Sequence, residues 1–277
     1  MLKVIYKCLE ICCIYNLNTV ITYEYHYGNY IMVKKRFDDD FMVILVQNLL
    51  GIWSLNNFIS ENIINEKVKA SVKSLIFYTL NVKLLHNYVP KTDWFLNEKL
   101  IKGYENHEMS CRDKYLYILS LSYYLIELFE HRNRKVKRKD DNQMLLHHVV
   151  TILLILMSYQ SNLFRIGLNV IYIFDMNDIM LSISKLLTYN NVNEWITNST
   201  FAIFGVSWVY NRLYLFLMYV LVYLYKNMHS VPEYVGFILL CVIYGLNVFW
   251  TKLIASAAYK MGQGNDLNEV NEDYEDN

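Results

Sequence analysis

The chain has 277 residues, 55% of them apolar and 16% aromatic, with only two prolines. This composition excludes a disordered chain, a collagen-like fibre and a small disulfide scaffold. Lys plus Arg and Asp plus Glu both number 26, so the net charge is zero, and no basic excess suggests a nucleic-acid partner.

The charges crowd into 34–40, 61–73, 98–114, 127–141 and 259–277 and leave long apolar stretches between them. Hydrocarbon excludes charge, so this is the pattern of a chain that crosses a membrane several times. Residues 1–32 are apolar but carry Lys7, Glu10 and Glu24 and lack a small-residue cleavage site. They read as a poor span or an interfacial segment, not as a cleavable signal. Spans of ~20 residues are expected at 41–60, 71–89, 114–130, 144–163, 166–187, 197–225 and 233–258. The sixth is too long for one plain crossing and must tilt or break.

Backbone groups in lipid have to bond internally, so the spans must be helices. The expected fold is all-α, a polytopic transmembrane bundle of about six to seven spans. No repeat or low-complexity linker divides it. The cysteines, Cys8, Cys12, Cys13, Cys111 and Cys241, have neither zinc spacing nor an even count, and read as apolar fillers. Orientation follows from Arg132, Arg134, Lys135, Lys137, Arg138 and Lys139, which place this loop and the C-terminus in the cytosol. Lys34, Lys35 and Arg36 then fall on the other side, against the same rule. In this orientation the sequon Asn198-Ser199-Thr200 is cytosolic and unused.

The chemistry is concentrated in 138–189. His147 and His148 open a strongly apolar helix, with Thr151 on the same side. The next span carries Asp175 and Asp178, one turn apart and so on one face. Ionisable groups inside a span are costly and turn toward a bundle interior or a wet cavity. Three roles suit two imidazoles and two carboxylates. Histidine can act as base or transient nucleophile in acyl transfer, with a carboxylate fixing its tautomer. The four groups could ligate a metal, although the many histidines of membrane di-iron enzymes are absent. They could also join helices by hydrogen bonds alone. Span heights separate His147 from Asp178 by ~9 Å along the membrane normal, so contact requires tilt or a helix break.

At these residues the chain resembles the ceramide synthases, the longevity-assurance branch of the TLC-domain membrane proteins. The matching positions, in register and without a gap, are Arg138, Lys139, Asp140, His147, His148, Thr151, Ser158, Asn162, Arg165, Gly167, Asp175, Asp178, Lys185 and Tyr189. Weaker similarity covers about 68–277 and includes Arg212, Trp250 and the acidic tail. Asp141 stands where Phe is usual, Phe174 replaces the His of an HD pair, and Ser182 replaces a Glu.

The resemblance implies an endoplasmic-reticulum enzyme that transfers a fatty acyl group from acyl-CoA to the amine of a sphingoid base. In that role His147, His148, Asp175 and Asp178 are catalytic, and Arg138, Lys139, Arg165 and Arg212 bind substrate. No metal or cofactor beyond the acyl-CoA co-substrate is implied. Membrane lipids are partners and nucleic acid is not; a homo- or heterodimer stays open. The division implied is 1–67 as N-terminal region, 68–260 as the TLC-like catalytic domain and 261–277 as an acidic cytosolic tail. A non-catalytic lipid-binding, lipid-sensing or chaperone relative is the alternative. Lys185, Trp250 and the tyrosines read as interface or packing residues.

Overall fold

The computed structural model describes residues 39–93, 95–102, 104–106, 108–134 and 140–263. Among these, the chain forms long helices and no strand: α1 Asp39–Asn62, α2 Glu66–His86, α3 Cys111–Asn133, α4 Asp141–Gln160, α5 Phe164–Tyr189, α6 Glu194–Asn227 and α7 Val231–Gly262. Five of them, α1, α4, α5, α6 and α7, are long and apolar enough to cross a membrane. The other two expected spans, α2 and α3, are less apolar. In α3 nearly every residue from Cys111 to Tyr124 is buried, because its neighbours cover it.

Local chemistry sets the ends. The Asn65 side chain accepts from the Lys67 and Val68 N–H groups and starts α2. Ser110 and Asp113 form a reciprocal capping box at α3, with Asp113 Oδ2 accepting from Ser110 N–H at 2.9 Å. Ser230 and Glu233 do the same at α7, with Pro232 in the first turn. Asn162, with φ 65°, makes the tight turn between α4 and α5 and donates to the Tyr104 carbonyl at 2.7 Å.

Helix contacts close a ring in the order α1, α3, α4, α7, α6, α5, α2 and back to α1. The α2–α5 pair is the most extensive contact. One large core runs through the bundle and includes Phe41 and Ile44, so α1 is packed with the rest. A smaller core joins Ile59, Val72, Ile76 and Leu186. Short 3-10 turns at Val89–Lys91, Glu98–Leu100 and Tyr104–Asn106 cover the end opposite the 134–140 connection.

The long sixth span stays continuous but changes winding. Val209–Leu221 is π-helical, and the Val222 N–H bonds to the Leu217 carbonyl, five residues back. This wider winding, in an unbroken helix, stands where a tilt or a break was expected from length, and such turns commonly mark a functional position. It carries Arg212 and Asn211 toward α5.

A buried histidine pair above an apolar slot

His147 and His148 leave α4 in different directions. His147 lines an apolar slot; its ring meets the edge of Trp250 with centroids 5.5 Å apart, and Tyr124 lies 6.2 Å away. His148 is 7% exposed and turns toward α3, where His131 lies 5.6 Å from it. The two rings of the pair are 5.7 Å apart.

The slot has a cavity volume of about 60 Å3, spread along about three turns of α4. It is therefore long and narrow. On α4 it follows His147, Thr151, Leu154 and Ser158, one helical face that rises ~16 Å at 1.5 Å per residue. The opposite wall is Ile166, Gly167, Val170 and Phe174 of α5, closed by Gly236, Leu240 and Ile243 of α7. At the far end the Tyr117 hydroxyl donates to the Phe164 carbonyl at 3.0 Å and meets Ser158 Oγ at 3.1 Å. A Cβ on Gly167 would lie 1.7 Å from that hydroxyl, so only glycine admits this closure.

The aspartates are bonded away from the histidines. Asp175 Oδ2 accepts from Asn81 Nδ2 at 2.6 Å, and Asn81 also reaches Ser120. Asp178 Oδ1 accepts from the Arg212 guanidinium at 2.6 Å. Arg212, 4% exposed, lies between the faces of Phe174 and Trp208 at 4.3 and 4.6 Å and also donates to the Phe174 carbonyl and Asn247. No hydrogen bond joins an aspartate to either histidine; Nδ1 of both rings and Asp175 Oδ1 are buried without a partner. In place of the expected carboxylate–imidazole contact, the rings of His147 and His148 lie 6.2 and 6.4 Å from that of Tyr124, while the aspartates bond to Asn81 and Arg212 in the neighbouring layer. The partners that reach each aspartate come from α2 and α6, not from α4.

Of the expected substrate residues, Arg212 is in this layer. Arg165 is not; it is half-buried near the opposite end, ~15 Å along α5 from Asp175, and donates to the Lys99 carbonyl. Nearby, outside the spans, the Lys99 ammonium holds the Asp93 carboxyl below its usual range. Arg138 and Lys139 lie outside the described residues, as do most of 1–67 and the acidic tail. Among the described residues no three His, Cys, Asp or Glu side chains are grouped to share a metal ion.

Trp250, expected only to pack, donates its indole N–H to Asp140 Oδ2 at 3.0 Å and links the start of α4 to the His147 ring. Asn81, Tyr124, His131 and Asn247 were not anticipated. Asn81 and Asn247 did carry a signal, since each is an amide inside an apolar run, and such groups turn inward to bond.

Together these features define a helical membrane protein with an imidazole pair, His148 buried and His147 half-buried, at the head of a narrow apolar slot. Residues 67–256 match the TLC domain family model, and the chain belongs to that family. It is 31% identical over 221 residues to the sphingosine N-acyltransferase lag1 of Schizosaccharomyces pombe, covering 72% of this chain and 55% of that protein. It is 34% identical over 155 residues to ceramide synthase 4 of Bos taurus (53% and 39% covered) and 26% identical over 156 residues to ceramide synthase LOH2 of Arabidopsis thaliana (56% and 52%). The chain spans about half the length of the curated relatives it matches.

Proposed function

We propose that this protein is a ceramide-forming acyltransferase of the endoplasmic-reticulum membrane, with the 134–140 connection and the C-terminus in the cytosol. It would join a fatty acyl group from acyl-CoA to the amine of a sphingoid base. The observation that carries the reading is the position of His147: its ring borders a narrow apolar slot. An acyl chain lies along α4 with its thioester carbonyl at that ring. The names of the relatives, a sphingosine N-acyltransferase and ceramide synthases, support the substrate class.

The reaction balances as thioester plus ammonium going to amide, CoA thiol and one proton. A carbon–nitrogen bond forms, the carbon–sulfur bond breaks, and the thiolate takes one of the protons released by nitrogen. His147 touches the reacting carbonyl, either as base toward the amine or as a passing acyl carrier. Asp178 is committed to Arg212, whereas Asp175 keeps one oxygen for an incoming ammonium. Buried unpaired polar atoms cost about 1–3 kcal/mol each, and this region holds several, a cost that bound substrate would offset.

The test uses purified full-length protein in lipid nanodiscs with sphinganine and a panel of acyl-CoAs, amide product being measured. Amide from the wild type, with His147→Ala losing at least about 100-fold while still accumulating in the membrane, is expected. Absence of amide with every chain length moves the protein to the lipid-binding reading, which the apolar Phe174 at the slot wall would then explain.

A further inference from the structure

The release of one proton per turnover raises the question of where it goes, since the slot around His147 is apolar. His148 points the other way. On α4, Asp141 lies seven residues before His148, two turns away on the same face. Against that face sits His131, from the last turn of α3, 6% exposed. Its Nε2 stands 3.6 Å from Asp141 Oδ2, and its ring centroid 5.6 Å from that of His148. Nδ1 of His131 and Nδ1 of His148 are both buried without a hydrogen-bond partner. Asp141 is the outermost of the three, with 21% of its side chain exposed beside the basic connection.

We propose that His131 and Asp141 form a proton outlet for the histidine pair, leading from His148 to the aqueous phase at the basic-connection end. The idea rests on the acyl-transfer reading. The ring centroids of His147 and His148 stand 5.7 Å apart, so a bridging water carries the proton released at His147 to His148. A centroid separation of 5.6 Å exceeds a direct imidazole–imidazole hydrogen bond, so one bridging water carries the proton from His148 to His131. Asp141 holds the His131 ring and stabilises it while charged, as a carboxylate does for an imidazolium; the proton then leaves to bulk buffer. No bond other than N–H and O–H changes, and each carrier returns to its starting state.

The surroundings suit an exit. Among the described residues, the charged and titratable groups near His131 and His148 include Asp141 and His147 from α4, Tyr124 of α3 at 6.4 Å from His148, Arg134 just beyond α3, and Glu130 next to His131 in the chain. Glu130 is already held by Lys73 of α2 at 3.0 Å and by Asn56 of α1 at 2.7 Å. His131 is therefore the group among these that faces both the catalytic pair and the edge of the bundle. The chain carries Asp141 where its family resemblance leads one to expect Phe, and lacks a histidine at 174. The imidazole–carboxylate arrangement on this side of the pair is thus a property of this chain's own residues. His131 is a positioning and relay residue; it does not touch the substrate.

The experiment measures kcat, KM and the pH profile of amide formation for wild type, His131→Gln and Asp141→Asn, with and without added imidazole. Expected for both variants is a fall in kcat of about tenfold or more, less than the ~10²–10⁴ of a direct acid–base group, with KM for acyl-CoA unchanged. The pH profile should change shape, and imidazole, but not an equal concentration of salt, should restore the rate. Asp141 is the more exposed partner, so its variant tests the outlet should His131→Gln fail to fold. An active wild type whose folded variant keeps full kcat, the same pH profile and no response to imidazole overturns the outlet and leaves acyl transfer standing. A wild type that forms no amide from any acyl-CoA removes both.

Discussion

Arg212 and Asp178 show how a single buried pair can organise a membrane site. The guanidinium is almost wholly buried, bonded to one carboxylate and held between two aromatic faces. Cation–aromatic contacts and a planar donor fork make arginine the residue suited to this place. Removing one partner strands the other charge. Asp178→Asn should therefore destabilise the protein by about 3–5 kcal/mol, read as a lower melting temperature in detergent. The double variant Asp178→Asn, Arg212→Met should recover much of that loss, because an apolar replacement of a buried pair is often neutral. A single variant melting with the wild type would show that the pair carries no structural weight.

At the level of elements, the slot is a product of three helices meeting at small residues. Gly167 lets the Tyr117 hydroxyl close its far end. Gly167→Ala should cost about 1–3 kcal/mol through overpacking, and Tyr117→Phe in the same chain should return part of it by removing the clashing oxygen. Additive effects of the two changes would mean that the hydroxyl does not press on residue 167. Gly236 works differently. A Cβ there meets only the flexible end of Met157, at 2.9 Å, so Gly236→Leu should fold and fill the slot. The acyl-CoA panel should then shift toward shorter chains; an unchanged length profile would place the acyl chain elsewhere. The π-helical stretch is the third contribution, since it delivers Arg212 and Asn211 to Asp178 and Asn177.

On the scale of the molecule, the ring of helices puts the start of α4, the end of α3 and the end of α7 at one end of the bundle. Arg134 and Asp140, which flank the basic connection, lie at that end, and in the proposed orientation, which follows the positive-inside rule, this end faces the cytosol. Asn198 lies near the start of α6, at the same end. Its sequon should remain unmodified when the protein is expressed in a eukaryotic host, with no mobility shift on endoglycosidase treatment. A shift would invert the orientation and, with it, the side from which the proposed acyl-CoA substrate enters. The same arrangement explains why α2 and α3 tolerate lower apolarity: they bury their polar groups against each other and against α1 and α5, with Lys73 on Glu130 and Asn81 on Asp175 as examples.

The order of helices, their approximate limits and the family resemblance around His147, His148, Asp175 and Asp178 were legible in the linear chain. The reason is that hydrocarbon imposes a length and a polarity on each span, and both are written directly in residue order. Which histidine faces the slot was not legible, because adjacent residues on a helix diverge by about 100° and only neighbouring helices decide which direction is inside. The partners were hidden for the same reason. Asn81 meets Asp175, Arg212 meets Asp178, and His131 meets Asp141 across helix pairs whose adjacency depends on the closure of the ring. Arg165 shows the converse: near the aspartates in the chain, it is carried to the other end by the 1.5 Å rise of its own helix. Spans follow from local polarity, whereas a site follows from which faces of separate helices are pressed together, and packing alone settled that.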